Sequence, residues 1–91
     1  MKFTITRLCG GKALMASPAD MMDIDLDKAA DILSKDGFAK KRNEEGLMLI
    51  MDWNGMEVTL YTQGKIMFYP LSEKEQAIEY ATKMLEMIRE G

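Results

Sequence analysis

Residues 46–75, GLMLIMDWNGMEVTLYTQGKIMFYPLSEKE, constrain the fold of this chain more than any other part of its sequence. The segment contains three apolar-rich runs of strand length, and a glycine-containing turn separates each run from the next. Asn54-Gly55 lies between the first two runs, and this pair readily adopts the positive φ angles of a two-residue hairpin turn. The segment therefore predicts three consecutive antiparallel strands, at residues 47–53, 56–61 and 65–69.

The link between the second and third runs is compatible with two turns. A two-residue turn would place Thr62 opposite Lys65. A three-residue loop, with Gly64 in the left-handed region at a bulge, would instead place Tyr61 opposite Lys65. Only the three-residue loop keeps the apolar residues of the third run on the same face as those of the second. The hydrophobic pattern therefore predicts the bulged loop.

This register divides the three strands into two faces. One face is assigned to the core and carries Leu47, Leu49, Met51, Trp53, Met56, Val58, Leu60, Ile66 and Phe68. The opposite face, which we call the outer face, carries Met48, Ile50, Asp52, Glu57, Thr59, Tyr61, Lys65, Met67 and Tyr69. Methionine and aromatic residues are unusually frequent there for a solvated surface. The sequence therefore predicts a candidate binding face made of Met48, Ile50, Thr59, Tyr61, Lys65, Met67 and Tyr69.

Two helices are predicted outside these strands. Asp25 or Asp27 caps a first helix that runs to about residue 35. Ser72 and Glu75 form a capping box at the start of a second helix, which extends to about residue 90. Apolar residues recur at helical spacing along the second helix and predict its buried stripe, Ala77, Ala81, Met84, Leu85 and Ile88.

Two more strands and one irregular segment complete the prediction. Residues 2–8 alternate apolar and polar side chains, which is typical of a strand buried on one side. Residues 38–42 form a charged strand, assigned to a sheet edge. Residues 9–24 are predicted to be an irregular insertion with one helical turn, and they either cover the outer face or leave it open. The sequence thus predicts one α+β domain, residues 1–91, with a five-stranded antiparallel sheet, two helices on one face and the order β-α-β-β-β-β-α.

Composition excludes several classes of function. The chain lacks histidine, the commonest general base and metal ligand, and we assign no catalytic, metal-binding or cofactor-binding residue. Its net charge of -3 disfavours nucleic acid and anionic lipid as partners. No apolar run is long enough to span a membrane, and the amino-terminal residues alternate like a strand instead of forming a signal core. Together with the single cysteine, Cys9, this predicts a cytoplasmic location and no membrane contact.

Three short motifs stand in the same order as the predicted elements: Gly46-Leu47, Gly64-Lys65-Ile66 and Ser72-Glu73-Lys74-Glu75. Their order and spacing resemble one half-repeat of the TATA-box-binding protein core over residues 25–90, with residues 2–8 as the family's first strand. The resemblance implies a curved sheet with helices on its convex side and a concave side that grips the DNA minor groove. It implies that the concave positions are those of the outer face, with Tyr61 at a wedge position and Lys65 near the phosphate backbone.

The charges of the outer face differ from what this resemblance implies. Glu44 stands where the family inserts a second aromatic wedge, and Asp52 and Glu57 stand where it has basic or neutral groups. Kinking the minor groove requires apolar wedges and neutralised phosphates. We therefore expect a non-enzymatic binding module whose outer face contacts a protein partner or forms a homodimer. The alternative is nucleic-acid binding through a homodimeric saddle, in which two copies join along their first strands.

Overall fold

A computed structural model describes residues 2–91 of this protein and contains one six-stranded antiparallel sheet. The strands are β1 (Phe3–Leu8), β2 (Ala13–Pro18), β3 (Ala39–Glu44), β4 (Met48–Trp53), β5 (Met56–Tyr61) and β6 (Ile66–Tyr69). Their order across the sheet is β1-β2-β6-β5-β4-β3. The helices are α1 (Leu26–Ser34) and α2 (Lys74–Glu90). The α+β class is confirmed, with one strand more than predicted.

The central hairpins have the register that the turn residues predicted. Asn54 and Gly55 both have positive φ angles, 54° and 77°, and join β4 to β5. In the next turn the Tyr61 amide donates to the Lys65 carbonyl at 2.9 Å, and the Gly64 amide donates to the Tyr61 carbonyl at 3.0 Å. Gly64 has a φ of 101°. The three-residue loop is therefore confirmed, and with it the division of these strands into two faces.

The core lies between the two helices and one face of the sheet. Its fully buried side chains from β4, β5 and β6 are those predicted, Leu49, Met51, Val58, Leu60, Ile66 and Phe68. From α2 they are Ala77, Ala81, Met84 and Leu85, four of the five predicted stripe residues. Leu47 was also assigned to the core, but it is 60% exposed. That assignment is wrong because β4 begins at Met48, so Leu47 lies in the preceding turn and is outside the sheet register.

Residues 13–18 form β2, where the sequence predicted irregular structure. Leu14 and Ala16 are fully buried in the core, whereas Met15 points to the outer face opposite Met67. Alanine and methionine have little intrinsic strand preference, so this alternation was a weak signal. β2 is stabilised from both sides, since it pairs with the neighbouring strand β1 and with β6, which is distant in the sequence. The predicted count of five strands is therefore wrong, and the observed order is β-β-α-β-β-β-β-α.

Residues 19–24, which we call the crossing segment, lead from β2 to the helix side of the sheet. The Met22 amide donates to the Gln63 carbonyl at 3.0 Å, and the Ile24 amide donates to the Thr62 carbonyl at 2.9 Å. Ile24 is buried in the core, and Met22 packs against it. Because β2 lies within the sheet and the crossing segment joins the core, residues 9–24 leave the outer face open.

The first helix and the strand that follows it agree with the prediction. Asp25 caps α1, because its Oδ1 accepts hydrogen bonds from the amides of Asp27 at 3.1 Å and Lys28 at 3.2 Å. This geometry decides between the two predicted caps. β3 lies at a sheet edge, as its charged side chains predicted.

The start of α2 differs from the prediction. The helix begins at Lys74, with Glu73 at the N-cap position and no hydrogen bond from a capping side chain. Ser72 therefore lies one residue before the cap, and its carbonyl accepts a hydrogen bond from Arg7 Nη1 at 3.2 Å. The predicted capping box is wrong, because this contact with β1 belongs to an extended connection and not to a helical turn.

Candidate binding face on the open side of the sheet

The outer face has the register predicted for β4, β5 and β6. Its paired positions are Met48–Tyr61, Ile50–Thr59, Asp52–Glu57, Thr59–Met67 and Glu57–Tyr69. Lys65 adjoins Tyr61 across the bulged loop. The structure thus brings all seven candidate binding residues to one side of the sheet, opposite the helices.

A line of four cross-strand neighbours, which we call the central row, forms the middle of this face. It consists of Met15, Met67, Thr59 and Ile50, on β2, β6, β5 and β4 respectively. Thr59 is only 2% exposed and Ile50 only 7%. Because residues 9–24 do not cross this face, the side chains around these two residues must cover them. The central row is therefore closely packed even though it lies on the open side of the sheet.

The side chains around the two buried residues remain partly accessible. Tyr69 is 43% exposed, and Met15, Met48, Tyr61 and Met67 are half-buried. Methionine side chains are flexible and polarisable, so they adapt to differently shaped surfaces. An adaptable apolar layer therefore lies on central strands that are paired on both sides. Sequence reasoning missed Met15 because β2 was not predicted, and the alternation of Leu14 and Ala16 is the signal that could have located it.

Ion pairs with β3 neutralise the acidic residues of this face. Lys41 Nζ lies 3.2 Å from Glu57 Oε2 and 3.9 Å from Asp52 Oδ1. Arg42 Nε lies 2.8 Å from Glu44 Oε1. The side chains of these pairs are 43–68% exposed, so we expect the pairs to contribute little to stability. Their importance is electrostatic, because they cancel the charges of the acidic groups.

The outer face consequently has no net charge, although the whole chain carries -3. With the adjoining β3 residues Lys41, Arg42 and Glu44 included, the three acidic residues Asp52, Glu57 and Glu44 are matched in number by three basic ones, Lys41, Arg42 and Lys65. A bulge between Lys40 and Arg42 breaks the alternation of β3, which allows both Lys41 and Arg42 to reach the outer face. The sequence could not show this, because strict alternation would have put them on opposite faces.

Other features of the described chain lie away from this face. A groove of about 500 Å³ lies on the helix side, where Ile24, Ile32 and Ile88 contribute to its lining. Cys9 is exposed and unpaired in the turn between β1 and β2. Within residues 2–91, no cluster of three or more acidic, cysteine or histidine side chains is placed to hold a metal ion. No helix in this range has the length and apolar character needed to cross a membrane.

The chain was compared with known proteins at three levels. No family model matches it, and no curated protein or solved structure matches it. The chemistry and geometry of the chain's own residues make the outer face its candidate functional surface.

Proposed function

We propose that this protein is a non-enzymatic binding module and that its outer face contacts another protein. The observation that carries this proposal is the accessible apolar surface formed by Met15 and Met67 of the central row and by the side chains around it. Met15 and Met67 are half-buried, and the exposed ring of Tyr69 lies beside them on β6. Methionine and aromatic residues are enriched at the centres of protein interfaces. Contiguous apolar surface of this kind often marks an interaction site.

The distribution of charge across the face supports the same proposal. Apolar groups occupy its middle, and the ion pairs of Lys41 and Arg42 lie towards the β3 edge. Protein interfaces commonly combine an apolar centre with a polar, solvated rim. Charges that are already paired remain hydrated at such a rim, so binding there would not require their burial.

We also propose that the fold is related to a single half-repeat of the TATA-box-binding protein. The support is the run of four strands, β3 to β6, followed by α2, with both helices on the same side of the sheet. The hairpin of β1 and β2 before α1 departs from the five-stranded arrangement that the resemblance implied. Nucleic-acid binding through a homodimeric saddle is the alternative function, because the ion pairs of the outer face remove the local repulsion that its acidic residues would exert on phosphates.

Site-specific photo-crosslinking tests the protein-binding proposal. Tyr61 is replaced by p-benzoylphenylalanine, and the protein is irradiated in extract of cells from its source. The matched control carries the same probe at Glu79, which is exposed on α2. We expect one discrete crosslinked protein from the Tyr61 probe, none from the Glu79 probe, and loss of the product when Met67→Glu is added. Identical products from both positions, or no product from Tyr61, would refute the proposal.

Methionine methyl NMR distinguishes the nucleic-acid alternative. The protein is labelled at its methionine methyl groups and titrated with duplex DNA and with single-stranded RNA at low salt. Met15, Met48 and Met67 report on the outer face, whereas Met51 and Met84 report on the core. The protein-binding proposal expects no shift at any of them. Salt-dependent shifts confined to the outer-face methyl groups would replace it with nucleic-acid binding.

A further inference from the structure

The two edges of the sheet are protected to very different degrees. β3 carries Lys40, Lys41 and Arg42, and a bulge interrupts its register. Charged side chains and bulges are common devices that prevent an edge strand from pairing with another chain. β1 pairs with β2 through six consecutive residues without a bulge, and its sequence FTITRL contains one charge, at Arg7, and no proline. β1 is therefore the unprotected edge.

The hydrogen-bond pattern shows which backbone groups of β1 point outwards. The Lys2 carbonyl accepts a hydrogen bond from the Ala19 amide at 2.9 Å, so this pair is of the hydrogen-bonded type. Such pairs alternate along an antiparallel ladder, which directs the amides and carbonyls of Phe3, Ile5 and Arg7 away from β2. Pro18 has no amide hydrogen and lies opposite Phe3, as this alternation requires.

We propose that β1 pairs with β1 of a second copy of this chain, antiparallel and about a two-fold axis through Ile5. In this register Ile5 lies opposite Ile5 of the second copy, and Phe3 lies opposite its Arg7. The outward-pointing amides and carbonyls of both strands then bond to each other. The strand is self-complementary because its single charged residue, Arg7, lies opposite Phe3 of the second copy and not opposite a second arginine.

Side chains on both sides of the sheet fit this pairing. Phe3 and Ile5 are half-buried beside the core, and the second copy would cover their exposed parts. On the outer face, Thr4 would lie opposite Thr6 of the second copy, and cross-strand threonine pairs stabilise sheets. A second copy therefore provides hydrogen-bond partners for the outward-pointing backbone groups of β1 and also covers the exposed parts of its side chains.

This symmetry also limits the size of the assembly. A two-fold contact uses the same edge on both copies, and the β3 edges that remain at the two ends are protected. The assembly therefore closes as a dimer and does not grow into a filament. Because the axis is perpendicular to the sheet, the two outer faces lie side by side on the same surface. The inference goes beyond the proposed function, since self-pairing does not depend on what the outer face binds.

Charge substitution at the edge tests the dimer. The double variant Thr4→Lys/Thr6→Lys places lysines opposite each other at exposed positions and leaves the core residues of β1 unchanged. Ala39→Lys/Gln76→Lys adds the same charge at exposed positions away from β1 and is the matched control. Sedimentation velocity over a concentration series should show the wild type and the control passing from a 10.3 kDa monomer to a dimer. We expect at least about a tenfold higher dissociation constant for the Thr4/Thr6 variant.

Disulfide trapping tests the register. In a Cys9→Ser background, Thr4→Cys and Thr6→Cys proteins are oxidised separately and as an equal mixture. The proposed axis predicts a disulfide between the two different proteins and none between identical copies, because Thr4 faces Thr6 of the second copy. Homodisulfides of either protein would overturn the register.

Two results would overturn the dimer itself. One is a wild-type mass that stays at 10.3 kDa at millimolar concentration, and the other is unchanged dimerisation of the Thr4→Lys/Thr6→Lys variant. Met67→Glu, which is expected to abolish crosslinking at the outer face, should leave the dimer intact. Failure of the edge proposal is thus distinguishable from failure of the proposed function.

Discussion

Gly64 meets two structural requirements at a single position. Its φ of 101° is favourable only for glycine, and it allows the bulged loop between β5 and β6. A Cβ atom at this residue would also lie 2.9 Å from Met22 Sδ and 3.1 Å from Pro18 Cγ. Both the bulged loop and the close approach of Met22 and Pro18 therefore require a residue without a side chain at position 64.

We predict that Gly64→Ala lowers the free energy of unfolding by roughly 2–3 kcal/mol, from positive-φ strain and overpacking together. The matched control is Gly55→Ala, where φ is 77° and no atom lies within 4 Å of the added Cβ. Strain alone should cost the control about 1–2 kcal/mol. Urea unfolding measures both values. If both variants lose the same free energy of unfolding, the contact between residue 64 and the crossing segment does not contribute to the cost of Gly64→Ala.

At the scale of the element, the two helices begin by different means. Asp25 caps α1 through two amide hydrogen bonds. α2 lacks a capping side chain, and the residue expected to cap it, Ser72, instead binds Arg7 through its backbone carbonyl. A mutation to alanine removes a side chain and retains the carbonyl. Alanine substitution therefore distinguishes a true cap from a residue that only resembles one in the sequence.

We predict that Asp25→Ala lowers the free energy of unfolding by about 1 kcal/mol, the usual cost of losing an N-cap. Ser72→Ala should change it by less than about 0.5 kcal/mol, as surface substitutions usually do. Both variants are measured in parallel by thermal and urea unfolding. A loss at Ser72 as large as that at Asp25 would mean that the capping box does form in solution.

At the scale of the whole molecule, the sheet separates a dry core from an open apolar surface. Leu60 is fully buried against the helices, whereas Met67 on the neighbouring strand is half-buried on the outer face. The outer face retains accessible apolar area although Thr59 and Ile50 beneath it are nearly inaccessible. Such a surface is available to a partner without any rearrangement of the fold.

This organisation predicts unequal losses for two similar truncations. Leu60→Ala should lower the free energy of unfolding by about 2–5 kcal/mol, because it leaves a cavity in the core. Met67→Ala should cost about 1 kcal/mol or less, since solvent can fill the space it leaves. Chemical denaturation gives both numbers. A cost at Met67 that equals the cost at Leu60 would identify the outer face as a second core instead of an open surface.

Local spacing in the sequence determined the central part of the fold. The two hairpin turns, the faces of β4 to β6, the stripe of α2 and the charged edge β3 each depend on residues close together in the chain. Turn chemistry and side-chain periodicity act over such short distances, so they can be read without knowledge of distant contacts. The seven candidate binding residues share a face for this reason.

Contacts between distant residues and two local irregularities decided the rest. β2 exists because it is paired on both sides, by β1 and by β6, which begins nearly fifty residues later. Lys41 reaches the outer face because of a bulge against β4, and α2 begins at Lys74 beside a contact from β1. Leu47 is exposed because the strand starts one residue after it. For β2 and the start of α2, the deciding contacts are with segments about fifty or more residues away, which only the tertiary structure brings together. The bulge at Lys41 and the turn before Leu47 are local, but strict strand alternation does not reveal them.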